Sequence, residues 1–118
     1  MKACIGFNME NAEDALAHMD LETVQNYGAF AYGHPLFTWD DGGRRLTRCK
    51  ACGGYVLIQV SEFCSFWNER DYLYTYYFPV DGPDAAEELN RLYDGITLEQ
   101  KYPSRHLCET DQGVYWSK

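Results

Sequence analysis

The chain has 118 residues, 46% of them hydrophobic and 16% aromatic, which is ample for one packed core and too apolar for an intrinsically disordered segment. Ten Lys and Arg against eighteen Asp and Glu leave a formal net charge of −8. That is the wrong sign for wrapping a phosphate backbone or holding to an anionic bilayer, so neither nucleic acid nor membrane is expected as a partner. The longest apolar run, Tyr55 to Ile58, is far short of a membrane span, and the chain turns acidic by Glu10 where a signal peptide would stay apolar. The expectation is a cytoplasmic protein with a single domain over residues 1–118.

In chain order, Asn11 is placed to cap a helix with Asp14 at its third position, followed by Ala12, Ala15, Leu16 and Met19 at helical spacing. The apolar spacing continues through Leu21, Val24 and Tyr27, with Asp20 able to start a new turn and Gly28 to stop it, which predicts one helix or two short ones. Strand patterns then take over. Leu36 to Trp39, a turn at Asp40 to Gly43, and Arg44 to Arg48 read as a hairpin. Tyr55 to Val60 is a continuous β-branched and aromatic run suited to a central strand, and Tyr72 to Phe78 is a second strand ending at Pro79. Pro83 opens a helix whose stripe is Ala85, Ala86, Leu89, Leu92 and Tyr93, with Gly95 as its stop. A last hairpin runs from Arg105 to Glu109, turns through Asp111 to Gly113, and returns over Val114 to Trp116. The predicted fold is α+β, an antiparallel sheet with two or three helices packed on one face.

Five cysteines are too few for a disulfide scaffold and odd in number, which turns attention to metal and redox chemistry. In Cys49-Lys50-Ala51-Cys52-Gly53-Gly54, two intervening residues let both sulfurs converge on one ion, and the glycine after the second allows a positive φ that aims amides at the sulfurs. These six residues resemble the zinc knuckle of zinc-ribbon and rubredoxin-like proteins, where such a turn joins two strands. The resemblance implies a Zn2+ site within a zinc-knuckle hairpin. A complete ribbon carries a second C-x-x-C and this chain has none, so the other two ligands must come from Cys4, Cys64, Cys108, His18, His34 and His106.

His106 and Cys108, two apart on a predicted strand, point to one face and are the favoured pair. His34 and Cys64 are the alternatives. Cys64 lies between aromatic residues like a core thiol, and Cys4 stands near a terminus, where exposure is expected. His18, four residues from Asp14 and Glu22, reads as helix surface or as a carboxylate-oriented base. Arg44, Arg45, Arg48 and Lys50 form a small cationic group beside the cysteines, suited either to an anionic partner or to stabilising metal-bound thiolates. The aromatic run from Phe66 to Phe78 could leave one face of its strand exposed to a protein partner.

No nucleophile elbow, phosphate-cradling loop or H-E-x-x-H occurs, so no catalytic residue is named. The functional expectation is a non-enzymatic protein-binding module with a structural zinc, including an inhibitor or immunity-type protein for a basic partner. The alternatives are a thiol–disulfide redox protein using Cys49 and Cys52, which a strand rather than a helix after Cys52 disfavours, and a small zinc metalloenzyme.

Overall fold

The computed structural model describes residues 2–31, 41–64, 71–93 and 97–117. Their centre is one six-stranded antiparallel sheet in simple sequential order: β1 (Leu21–Ala31), β2 (Asp41–Cys49), β3 (Tyr55–Cys64), β4 (Asp71–Val80), β5 (His106–Thr110) and β6 (Gly113–Ser117). Helix α1 (Ala12–His18) precedes the sheet, following a short 3-10 turn over Ile5–Asn8. Helices α2 (Pro83–Leu92) and α3 (Thr97–Lys101) lie between β4 and β5. The architecture is α+β. Among the described residues, no helix is long and apolar enough to cross a membrane.

The unbroken apolar run of β3 dictates the layering. Successive side chains of a strand point to opposite faces, so the consecutive apolar residues from Tyr55 to Ile58 must be covered on both. Val56 and Ile58 pack with Ala15 of α1, Tyr77 and Leu107. Leu57, facing the other way, packs with Leu46, Phe78, Ala86 of α2 and Leu98 of α3. The helices therefore cover both faces of the sheet, not the single face expected from the pattern alone.

Several elements form where their residues predict them. The Asn11 side chain accepts from the Asp14 amide at 3.0 Å, capping α1. Pro83 occupies the first turn of α2, where its missing N–H costs nothing, although Leu92 at the far end is 59% exposed and stands outside the stripe. The last hairpin pairs Leu107 with Trp116 and Glu109 with Val114.

Two assignments are corrected. Leu21, Val24 and Tyr27 belong to strand β1, not to a helix: Leu21 packs on the α1 face, Tyr27 on the α2 face and Val24 is 49% exposed, so the three share no face. The pairing with β2 shifts register between Thr23 and Gln25 and between Asn26 and Gly28, each shift inserting one extra residue. Asp41 to Gly43 are also strand, with Gly43 opposite Val60 and Gly42 opposite Ser61. The predicted strand Leu36 to Trp39, together with His34, Phe66, Trp67 and Gly95, lies outside the described residues.

Candidate metal centre

Four side chains from three separate segments meet at the end of β2. The ligand atoms of Cys4, His18, Cys49 and Cys52 all lie within 4.8 Å of one another, a Cys3His group compatible with a metal ion. The sulfurs of Cys4 and Cys52 are 3.6 Å apart, and the Cys49 sulfur is 3.9 Å from His18 Nε2.

Each segment is delivered by backbone hydrogen bonds. At the end of β2 the chain reverses tightly: the Gly53 amide donates to the Cys49 carbonyl at 2.7 Å, and the Cys49 amide to the Gly54 carbonyl at 2.7 Å. Gly53 sits at φ +78°, a conformation in which any β-carbon is strained. The N-terminal segment runs alongside the start of β3. Tyr55 donates to the Lys2 carbonyl at 3.0 Å and Cys4 to the Tyr55 carbonyl at 3.2 Å, which places the Cys4 sulfur over the turn. His18 is the last residue of α1, and the Lys50 amide donates to the Asp20 carbonyl at 2.8 Å, tying the helix exit to the same turn.

A second layer of contacts grips the N-terminal segment from the other end of the chain. Arg105 donates to the carbonyls of Phe7 at 3.1 Å and Met9 at 2.7 Å while its guanidinium lies 3.4 Å above the Trp116 ring. Trp116 Nε1 donates to the Glu10 carbonyl at 2.7 Å. The strap that carries Cys4 is thus held at both its ends.

The electrostatics separate the two touching thiols. Cys4 is 1% exposed, and burial pushes its pKa up to about 12, against the pull of the Gly6 amide. Cys52 is partly exposed. Burial raises its pKa, but the amides of Ile5 and Gly54 and the thiols of Cys4 and Cys49 together outweigh it and hold it below the ordinary thiol value. Arg48, exposed beside the turn, donates to the Gly53 carbonyl at 3.3 Å, and Lys50 reaches Asp20 at 3.8 Å.

Cys49 and Cys52 stand together, and the side chains grouped with them are those of Cys4 and His18. Among the described residues, the cluster includes neither His106 nor Cys108. His106 is buried, with its ring stacked 4.8 Å from Phe78 and edge-on to Tyr102, and its Nδ1 meets the Ser104 carbonyl at 2.9 Å. Cys108 lies opposite Tyr76 on β4 and exchanges a hydrogen bond with it. Two-residue spacing does put His106 and Cys108 on one face, but it is the Phe78 face, whereas Cys49 belongs to the Val56 face. His34 and the side chain of Cys64 lie outside the described residues.

Arg44 likewise points away from the cluster: it is 4% exposed, donates to Gln59 at 2.7 Å and to Asn90 at 3.2 Å, and belongs to the α2 side of the sheet. The signal for Cys4 was present in the sequence as a second Cys-x-Gly, since Cys4-Ile5-Gly6 matches Cys52-Gly53-Gly54, and in each the glycine amide serves the cysteine sulfur. His18 carried no local mark beyond its place in the last turn of α1.

Compared with protein families, with curated proteins and with solved structures, the chain finds no match in any of the three.

Proposed function

We propose that the protein holds one structural zinc ion on Cys4, Cys49, Cys52 and His18 and works as a non-enzymatic protein-binding module for a basic partner. The convergence of three thiols and one imidazole carries the reading. A tetrahedral zinc with bonds of about 2.3 Å to sulfur and 2.0 Å to nitrogen sets sulfurs about 3.8 Å apart, and sulfur and nitrogen about 3.5 Å apart. The 3.6 Å between Cys4 and Cys52 and 3.9 Å between Cys49 and His18 match that spacing with little movement. Thiolate-rich sets of this kind favour zinc over magnesium or calcium, which take oxygen donors. The turn from Cys49 to Gly54, with glycine amides serving the sulfurs of Cys4 and Cys52, supports the zinc-knuckle reading of the hairpin.

Four protein donors leave no coordination position for water, which argues against a metalloenzyme and for a site whose work is to fasten the N-terminal strap and α1 to the sheet. The net charge of −8 favours a cationic partner, attracted by long-range electrostatics. The test is zinc content and thiol reactivity of the purified protein. One zinc per chain, with Cys49 and Cys52 unreactive until a chelator is added, supports the reading. Metal-free protein with freely reactive thiols, or a hydrolase activity that falls on chelation, contradicts it.

A further inference from the structure

We propose that Cys52 is an oxidation site, at which a peroxide links Cys52 to Cys4 and expels the metal. This rests on the zinc reading of the cluster. Two independent features of the geometry set the chemistry: access and contact. Cys4 and Cys49 are 1% and 0% exposed, whereas Cys52 is partly exposed, so an oxidant arriving from solvent meets the Cys52 sulfur first. The Cys4 sulfur, 48 residues away in sequence, lies 3.6 Å from it, while Cys49 Sγ, which also hydrogen-bonds to Cys52, stands 3.9 Å from His18 Nε2. The tight reversal from Cys49 to Gly54, closed by two backbone hydrogen bonds of 2.7 Å, holds Cys49 and Cys52 in place, whereas Cys4 enters from a separate segment that runs alongside the start of β3.

The step balances with hydrogen peroxide as the oxidant. The Cys52 sulfur attacks one peroxide oxygen, the O–O bond breaks, and the hydroxide released takes a proton from solvent to become water, leaving a sulfenic acid on Cys52. The Cys4 sulfur then attacks the Cys52 sulfur, the S–O bond breaks, and a second water departs after protonation. Two sulfurs lose one electron each, peroxide becomes two waters, and two of the three ligand sulfurs cease to be thiolate donors. Cys49 and His18 alone cannot satisfy a four-coordinate ion, so the metal leaves. The resulting disulfide keeps the strap tied to the turn by a covalent bond where the metal had held it. Cys108 and its neighbour Tyr76 take no part.

The experiment treats the purified protein, its zinc content first measured, with rising hydrogen peroxide. Released zinc is followed with a chromophoric chelator, and free thiols are blocked before peptide mapping under non-reducing conditions. The expected result is loss of the bound zinc in step with a cross-link between the peptides carrying Cys4 and Cys52, both reversed by a dithiol reductant. Cys52→Ser should leave Cys4 open to alkylation at the same peroxide dose, a readout that does not require the variant to bind metal, and Cys108→Ser should behave as the parent. If the protein carries no zinc before oxidant is added, the zinc reading fails. If it carries zinc but the first cross-link is Cys49 to Cys52, or zinc stays bound until sulfonic acids form, this inference is overturned and the zinc reading stands.

Discussion

Gly54 and Cys4 are in backbone contact: a β-carbon at position 54 would stand 2.5 Å from the Cys4 nitrogen and 2.7 Å from the Ala3 carbonyl carbon. The obstruction is backbone, so no rotamer change relieves it. Glycine here is a condition for the N-terminal segment to lie along β3 and for the Cys4 sulfur to reach the turn.

Gly54→Ala should therefore displace the strap while sparing the sheet. The expected outcome is a drop of at least about tenfold in zinc affinity, equivalent to about 1.4 kcal/mol, measured by chelator competition. Unfolding of the metal-free protein should change less. An unaltered affinity would show that the strap does not need this approach.

Arg105 should matter to the metal centre without touching it. Its bonds to the Phe7 and Met9 carbonyls and its place over Trp116 are lost in Arg105→Met. Charge-assisted hydrogen bonds contribute about 1.5–3 kcal/mol each, and partial exposure moves the expected loss to about 2 kcal/mol in total. Denaturant unfolding of parent and variant checks this, and zinc affinity should fall alongside stability because Cys4 rides on the loosened segment.

A pH dependence follows from the other side of the sheet. Burial raises the Glu99 pKa from 4.5 to about 7, against the opposing pull of the Gln59 amide, which donates to its carboxylate, and of Arg44. Between these values the folded chain holds a proton that the unfolded chain has released, so this group makes stability fall as pH rises from 4.5 to 7. His106 acts in the opposite sense. Burial lowers its pKa below 6.5, so below that pH the unfolded chain binds the extra proton and stability falls as pH decreases. Glu99→Gln should remove the first slope and keep the second, which is read as the difference between parent and variant unfolding free energies across pH 4.5 to 7.5. A pH-independent difference would mean that Glu99 is not the group responsible.

The buried face beneath α2 and α3 gives a conventional control. Leu57 is 0% exposed and packs with Leu46, Phe78 and Leu98. Leu57→Ala should cost about 2–5 kcal/mol through lost burial and a residual cavity. Zinc binding by the fraction that remains folded should be unchanged, since the cluster lies on the other face.

Much of the fold was legible because strong local patterns agreed with their tertiary setting: the Asn11 cap, Pro83 at the start of α2, the unbroken run of β3 and the final hairpin. Where local pattern and context diverged, reading failed for identifiable reasons. In β1, Leu21, Val24 and Tyr27 fall at a helical spacing without sharing a face of the sheet. Helix α3 is five residues long with Leu98 as its one fully buried anchor, too short for any periodicity to register. At the metal centre, Cys49 and Cys52 announce themselves through spacing, but Cys4 and His18 are joined to them only by the fold. The preference for His106 and Cys108 rested on a correct rule about strand faces, with nothing in the sequence to say which face the cysteine turn occupies. Phe78 and Tyr102 claim His106 instead.

The most direct test of the ligand set is an anomalous difference map recorded at the zinc edge from crystals of the purified protein. The account predicts one peak, about 2.3 Å from each of the sulfurs of Cys4, Cys49 and Cys52 and about 2.0 Å from a ring nitrogen of His18. A peak bonded to His106 or Cys108, or no peak among these four side chains in zinc-supplemented protein, would contradict it.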